Sequence, residues 1–186
     1  KNVERCPWCL KDDIYKQLLD TVWGRPERDD RKLFAKLCLD GAQAGLSWYT
    51  ILIRTEGYAK AFDDWDAEKI ARYTPNKIEK LLLDPGIIRN RQKVESVVKN
   101  AKAYLKIMEG GKGAFRDFLW KHTDHRTIVN HWTEMKQLPA KTPISDAMSK
   151  DLQKAGFSFV GSTIVYAFMQ ACGMVDDHLV TCWRRK

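Results

Sequence analysis

The chain has 186 residues, 44% hydrophobic and 30% charged, which suits one domain with a single buried core. No apolar run approaches the roughly 20 residues of a membrane span, and no secretory signal precedes the first polar helix, so a soluble intracellular protein is expected. A formal net charge of +8 suits a polyanionic partner through counterion release, and is equally compatible with a basic protein that binds no nucleic acid.

Helical periodicity dominates from the first third onward. Residues 30–44 place Leu33, Phe34, Leu37 and Cys38 at helical spacing, and residues 47–62 do the same with Ile51, Leu52, Tyr58, Ala59 and Phe62. Thr74-Pro75 reads as an N-cap followed by proline at the first helical position, opening a helix through Ile78, Leu81 and Leu82. Val94, Val97, Val98, Ala101, Tyr104 and Leu105 mark a long amphipathic helix, and Phe115, Phe118, Leu119 and Trp120 a short one. Residues 124–143 are the least regular and predict a long loop with little fixed structure. Ser145 is expected to cap a helix through Lys154, and residues 163–172, apolar on nearly every side, a buried helix. No alternating strand pattern appears, so the predicted class is all-α, in one domain spanning 1–186.

The run Leu81-Leu82-Leu83-Asp84-Pro85-Gly86-Ile87-Ile88-Arg89-Asn90-Arg91 joins two predicted helices through a very short turn. Pro85 cannot continue a helix and Gly86 can adopt positive φ. The following helix would present free N–H groups and the positive end of its dipole, with Arg89, Arg91 and Lys93 adding charge, an arrangement suited to phosphate. The same spacing also fits an ordinary helix corner. Seven tryptophans admit two uses, stacking on bases and filling a core. Five cysteines, an odd number in a chain unlike a small secreted scaffold, argue against a disulfide framework.

Three longer runs are more specific. They are Asp40-Gly41-Ala42-Gln43-Ala44-Gly45-Leu46-Ser47-Trp48, Ala155-Gly156-Phe157-Ser158-Phe159-Val160-Gly161-Ser162-Thr163, and Phe168-Met169-Gln170-Ala171-Cys172-Gly173-Met174-Val175-Asp176-Asp177-His178. With Glu4-Arg5-Cys6 and Val22-Trp23-Gly24, they resemble the 3-methyladenine DNA glycosylase I family in order and spacing over nearly the whole chain. The hairpin above resembles that superfamily's helix-hairpin-helix motif, which grips a DNA backbone without reading sequence. The resemblance implies a helix-hairpin-helix glycosylase fold with a zinc-stapled lobe joining the termini. It implies a monomer in the bacterial cytosol that acts in base-excision repair on double-stranded DNA containing alkylated bases. Such an enzyme flips a damaged nucleotide out of the duplex and hydrolyses its N-glycosidic bond. 3-Methyladenine is a cation in the nucleotide, so its bond to the sugar is already weak and strong acid catalysis is less needed.

Carried over by motif, Asp40 is the catalytic carboxylate that orients and stabilises the base. Trp48 is the stacking platform, with Trp8, Tyr15 and Trp23 lining the same cavity. Gln43, Ala44, Gly45 and Leu46 match the family's DNA-probing turn, with Leu46 as the wedge that fills the gap in the stack; Gly86, Arg89, Arg91 and Lys93 would hold the backbone. Cys6, Cys9, His178 and Cys182 would form a closed Cys3His zinc site of structural type. Free thiols, or a Cys6–Cys9 disulfide, are the alternatives. Cys38 and Cys172 read as core thiols.

Two departures concern the base. The family usually carries Glu where Asp40 stands, and a Tyr facing the base where Leu18 stands. The shorter carboxylate can miss the base edge, and Leu neither donates nor accepts, so specificity should relax or change. A third departure is Leu19 in place of the family's first zinc-binding His, with Cys9 supplying a new Cys-x-x-Cys pair. The resemblance marks no lysine as a Schiff-base nucleophile, so no lyase step is expected. The leading expectation is a monofunctional glycosylase releasing alkylated purines, chiefly 3-methyladenine. The alternative is a catalytically weak or inactive homologue serving as a damaged-DNA binding module. A zinc-stapled protein-interaction domain is disfavoured by the hairpin and the charge.

Overall fold

The computed structural model describes residues 3–10 and 12–184. Within them the chain forms α1 (Asp13–Thr21), α2 (Asp30–Ala42), α3 (Trp48–Leu52), α4 (Thr55–Ala61), α5 (Ala67–Ala71), α6 (Pro75–Leu81), α7 (Arg91–Met108), α8 (Ala114–Trp120), α9 (Pro143–Ala155) and α10 (Ser162–Ala171). Short 3-10 turns stand at Pro7–Cys9, Asp63–Trp65, Lys121–Thr123 and Met135–Gln137. Buried Leu33, Phe34 and Leu37 of α2, Val94, Val97 and Ala101 of α7, and Val165, Tyr166, Phe168 and Met169 of α10 build the main core. Cys38 and Cys172 are buried in it, as expected. Trp65 and Trp120 are core tryptophans. A second, smaller cluster of Cys6, Cys9, Leu19, Leu179 and Cys182 forms where the two ends of the chain meet.

Local chemistry explains the boundaries. Thr74 accepts from the Lys77 N–H, with Pro75 at the first position of α6, as the sequence indicated. The segment 47–62 is two helices rather than one. Ser47 caps α3 by accepting from the Thr50 N–H. Thr55 Oγ1 donates to Leu52 O at 2.9 Å and Arg54 to Thr50 O at 2.8 Å, so side chains satisfy the last carbonyls and the chain turns. Helix α9 is capped by Thr142 rather than Ser145. The two form a capping box, in which Ser145 Oγ accepts from the Thr142 N–H at 2.8 Å, and Pro143 takes the first helical position.

The segment 124–143 is more ordered than its irregular sequence suggests. Ile128–Val129 (β1) pairs in parallel with Val175–Asp176 (β2), Ile128 opposite Val175 and Val129 opposite Asp176. Beyond it, Asn130 Nδ2 and Trp132 Nε1 donate to Asp177 Oδ1 at 2.6 and 2.7 Å. The tie is made by residues distant in sequence, which no local periodicity reports.

The hairpin also differs in detail. Helix α6 ends at Leu81 and α7 begins at Arg91, so the connection is longer than a tight turn. Gly86 is not among the positive-φ glycines. It is small for another reason: a Cβ on Gly57 would lie 2.2 Å from Gly86 O, so two backbones meet here face to face. Asp84 Oδ1 accepts from the Gly86 N–H at 2.7 Å, and Tyr58 Oη accepts from the Ile88 N–H at 3.2 Å, pinning the loop to α4.

Candidate active site

Three tryptophans converge from separate elements. Trp8 comes from the turn Pro7–Cys9, Trp23 from the chain after α1, and Trp48 opens α3. Their rings meet edge to face, Trp8–Trp23 at 5.3 Å and Trp23–Trp48 at 6.0 Å between centroids. They wall a cavity of about 220 Å³ together with Gln170, Asp177, His178, Met135 and Leu138. That volume is below the roughly 300 to 1,000 Å³ of drug-sized ligand pockets. Tyr15 is a layer back, its ring 6.2 Å from Trp8 and 6.1 Å from Tyr49. Trp48 Nε1 is buried without a hydrogen-bond partner among the described residues, which leaves a donor for a ligand.

Asp177 holds the far wall. Besides Asn130 and Trp132 it accepts from Gln170 Nε2 at 3.0 Å and from the Tyr166 hydroxyl. Burial, and then that contact, push the Tyr166 phenol well above its ordinary value, so it stays a donor. His178 is fixed next door, its Nδ1 2.7 Å from Asp176 Oδ1. Gly24, at φ +73, makes room for the ring: a Cβ there would sit 2.7 Å from His178 Cε1.

Asp40 lies near the C-terminal end of α2, 2% exposed. It does not stand in the wall of the tryptophan cavity. It lines a separate cavity of about 210 Å³ with Gln43, Ala44, Gly45, Leu46, Thr163 and Ile164. Between Asp40 and Trp48 lies a residue the motifs did not mark. Lys36 Nζ is 2.9 Å from Asp40 Oδ1 and 3.8 Å from the centroid of the Trp48 ring. Burial pushes the Asp40 carboxyl above the usual carboxylate value, and Lys36 partly offsets this. Asp40 Oδ2 is left buried without a partner among the described residues. Leu18 lines a further cavity of about 450 Å³ that also includes Trp23 and Lys36.

The turn after α2 is built to protrude. Leu46 and Gly45 are exposed, Gly45 has φ +76, and nothing stands within 4 Å of where its Cβ would be. Lys93 supports it from beneath. Its Nζ donates to Ala42 O at 2.9 Å and to Ala44 O, and the side chain is buried. Lys93 is therefore not one of the hairpin's outward cations. It spends its charge on backbone carbonyls that end α2, where a cation suits the helix dipole. Arg89 and Arg91 are exposed. Arg91 is already paired to Glu79 at 2.7 Å.

At the chain ends, the Cys6 N–H donates to Cys182 Sγ at 3.2 Å and the Leu179 N–H to Cys6 Sγ at 3.4 Å. The Cys6–Cys182 hydrogen bond holds the Cys182 thiol low and the Cys6 thiol high. Cys9 and Leu19 are buried in the same cluster. No three His, Cys, Asp or Glu side chains among the described residues are grouped so as to hold a metal ion. Cys6, Cys9 and Cys182 are gathered in one cluster, while His178 lines the tryptophan cavity.

This combination of an aromatic cavity, a protruding turn and a hairpin has close counterparts. The family model described as Methyladenine glycosylase matches residues 8–185. The chain belongs to the methyladenine glycosylase family. It is 48% identical over 178 residues to the DNA-3-methyladenine glycosylase of Haemophilus influenzae, covering 96% of each chain. It is 46% identical over 180 residues to DNA-3-methyladenine glycosylase 1 of Escherichia coli, covering 97% of this chain and 96% of that one. Among solved structures, a crystal structure of 3-methyladenine DNA glycosylase I superposes with a TM-score of 0.95 at 43% identity, over 98% of this chain and all of that one. The Staphylococcus aureus enzyme, solved to show the basis of its 3-methyladenine recognition, superposes at 0.93 with 36% identity, covering 98% and 96%.

For a methyladenine glycosylase, this member's motif residues are only partly brought together. Trp8, Trp23 and Trp48 share one cavity, whereas Tyr15 backs it and Asp40 stands apart, separated from Trp48 by Lys36. Asp177 and Gln170 were missed as wall residues, since their roles come from contacts distant in sequence. Lys36 did carry a signal: it stands four residues before Asp40 on α2, where i and i+4 side chains share a face.

Proposed function

We propose that this chain is a monofunctional DNA glycosylase that hydrolyses the N-glycosidic bond of alkylated purines, 3-methyladenine chief among them. The single observation that carries this is the cavity walled by Trp8, Trp23 and Trp48, with the unpaired Trp48 Nε1 inside a family fold. The exposed Leu46 turn enters the duplex as the nucleotide leaves it, and Arg89 with the start of α7 holds the backbone. The extruded base slides between indole faces, where stacking contributes about 1 to 3 kcal/mol. Water attacks the sugar carbon, the carbon–nitrogen bond breaks, and its electron pair neutralises the departing methylated base; the water proton goes to solvent. Asp40 supplies the negative charge that favours the positive sugar or base during that step.

A second reading is favoured by one observation. Asp40 is outside the cavity wall and engaged by Lys36, as in a module that binds damaged DNA without turning it over. Chromatography of bases released from methylated DNA separates the two. Free 3-methyladenine is expected; a mobility shift with no released base supports the binding module. The working unit is a monomer on double-stranded DNA in the cytosol.

A structural zinc ion on Cys6, Cys9, His178 and Cys182 completes the proposal. Its support is the donor chemistry: three gathered cysteines, backbone N–H groups aimed at two sulfurs, and an imidazole whose Nδ1 is held by Asp176 while Nε2 has no hydrogen-bond partner among the described residues. Zinc there would tie the chain ends together and take no part in bond cleavage. About one zinc per chain by metal analysis, with a lower melting temperature after chelation, is expected; metal-free protein of unchanged stability contradicts it.

A further inference from the structure

Lys36 touches both groups that a cationic base would use. Its Nζ is 2.9 Å from Asp40 Oδ1, 3.8 Å from the Trp48 ring centroid and 6.0 Å from that of Trp23. A positive charge over an indole face is the same interaction that would hold a methylated purine cation. Lys36 is tethered on α2 one turn before Asp40, so it competes for that place without having to diffuse there. A cation arriving at the Trp48 ring must displace it or lie beside it, and the second sets like charges side by side. A neutral base meets no such repulsion and can accept a hydrogen bond from the lysine. Trp48 Nε1, buried without a partner among the described residues, leaves one donor for its edge.

We infer that Lys36 is a specificity-determining residue: it acts as a resident cation on the Trp48 ring that walls the pocket and removes the preference for a positively charged base. The cavity then takes neutral and cationic alkylated purines on nearly equal terms. This rests on the reading of the tryptophan cavity as the base pocket. Faster release of a cationic purine follows from its weaker glycosidic bond, not from tighter binding.

The test titrates the tryptophan fluorescence of the whole protein with 3,9-dimethyladenine, a fixed cation, and with 9-methyladenine, its neutral counterpart. The wild-type protein is expected to bind the two with Kd values within about threefold, and Lys36→Met to favour the cation by about tenfold or more. Lys36→Arg, which keeps the charge, should behave as wild type. A wild-type protein that already favours the cation by about tenfold overturns the inference, as does a folded Lys36→Met protein with unchanged preference. Base release from methylated DNA alongside either result leaves the glycosylase reading standing. Failure of both probes to bind any of the proteins overturns the inference and the base-pocket assignment together.

Discussion

At the level of single residues, the proposed function assigns stacking to Trp48 and charge recognition to Asp40 in the neighbouring cavity. Trp48 carries the first, and Trp48→Ala should lower single-turnover base release by about 10- to 100-fold, the equivalent of one lost stacking partner. The variant should still bind duplex DNA, since the hairpin's exposed Arg89 and Arg91 are unchanged. Asp40 carries the second, and its pH dependence has a definite sign. Burial raises its pKa above the ordinary carboxylate value, so as pH falls it takes up a proton earlier than an exposed Asp. Activity that needs the carboxylate is therefore lost on acidification at a higher pH than usual. Because Lys36 is the group that lowers this pKa, Lys36→Met should move the acid limb of the pH–rate profile further up. A profile unaffected by that substitution would place the essential carboxylate elsewhere. The family motif identified Asp40 and Trp48 directly. Lys36, which touches both, was visible only as an i, i+4 neighbour until the ring distance was known.

At the level of elements, the protruding turn and the hairpin are mechanically joined. Lys93 begins in the hairpin helix α7 and ends on Ala42 O and Ala44 O, the backbone that presents Gly45 and Leu46. Lys93→Met removes both hydrogen bonds from a buried cation and should cost about 1 to 3 kcal/mol of stability in chemical denaturation. It should slow base release more than it weakens binding of the free base, since only the turn is loosened. Gly57→Ala probes the hairpin itself. Its Cβ would collide with Gly86 O, and a destabilisation of about 2 to 4 kcal/mol is expected. Both effects explain where sequence reading stopped. Helical periodicity and the Thr74-Pro75 cap located the long helices, because those signals are local. Lys93 read as a phosphate-facing cation because it follows Arg89 and Arg91. Its burial depends on the end of α2 and the turn after it, where Ala44 lies 49 residues away in sequence. The ordering of 124–143 depends on Asp177 in the same way.

At the level of the whole molecule, a net charge of +8 and the exposed hairpin predict DNA binding that weakens with salt. Each phosphate contact contributes a slope of about −0.9 in a plot of log K against log salt, and Arg89→Ala should make the slope shallower by about one contact. Fold and family were legible in the sequence because the glycine- and aromatic-rich runs span the chain, and the relatives superpose over nearly all of it. The site was legible as a set of residues but not as an arrangement. The sequence could not show that Asp40 faces a different cavity from Trp8, Trp23 and Trp48, or that a lysine joins them. The central claim is that the tryptophan cavity receives a flipped alkylated purine for hydrolysis. Its most direct test is single-turnover release of 3-methyladenine from methylated duplex DNA by the wild-type and Trp48→Ala proteins, each first shown to bind that DNA. Release by the wild type, and its loss in a variant that still binds, is the predicted result. Binding by both proteins with no base released by either would contradict the claim.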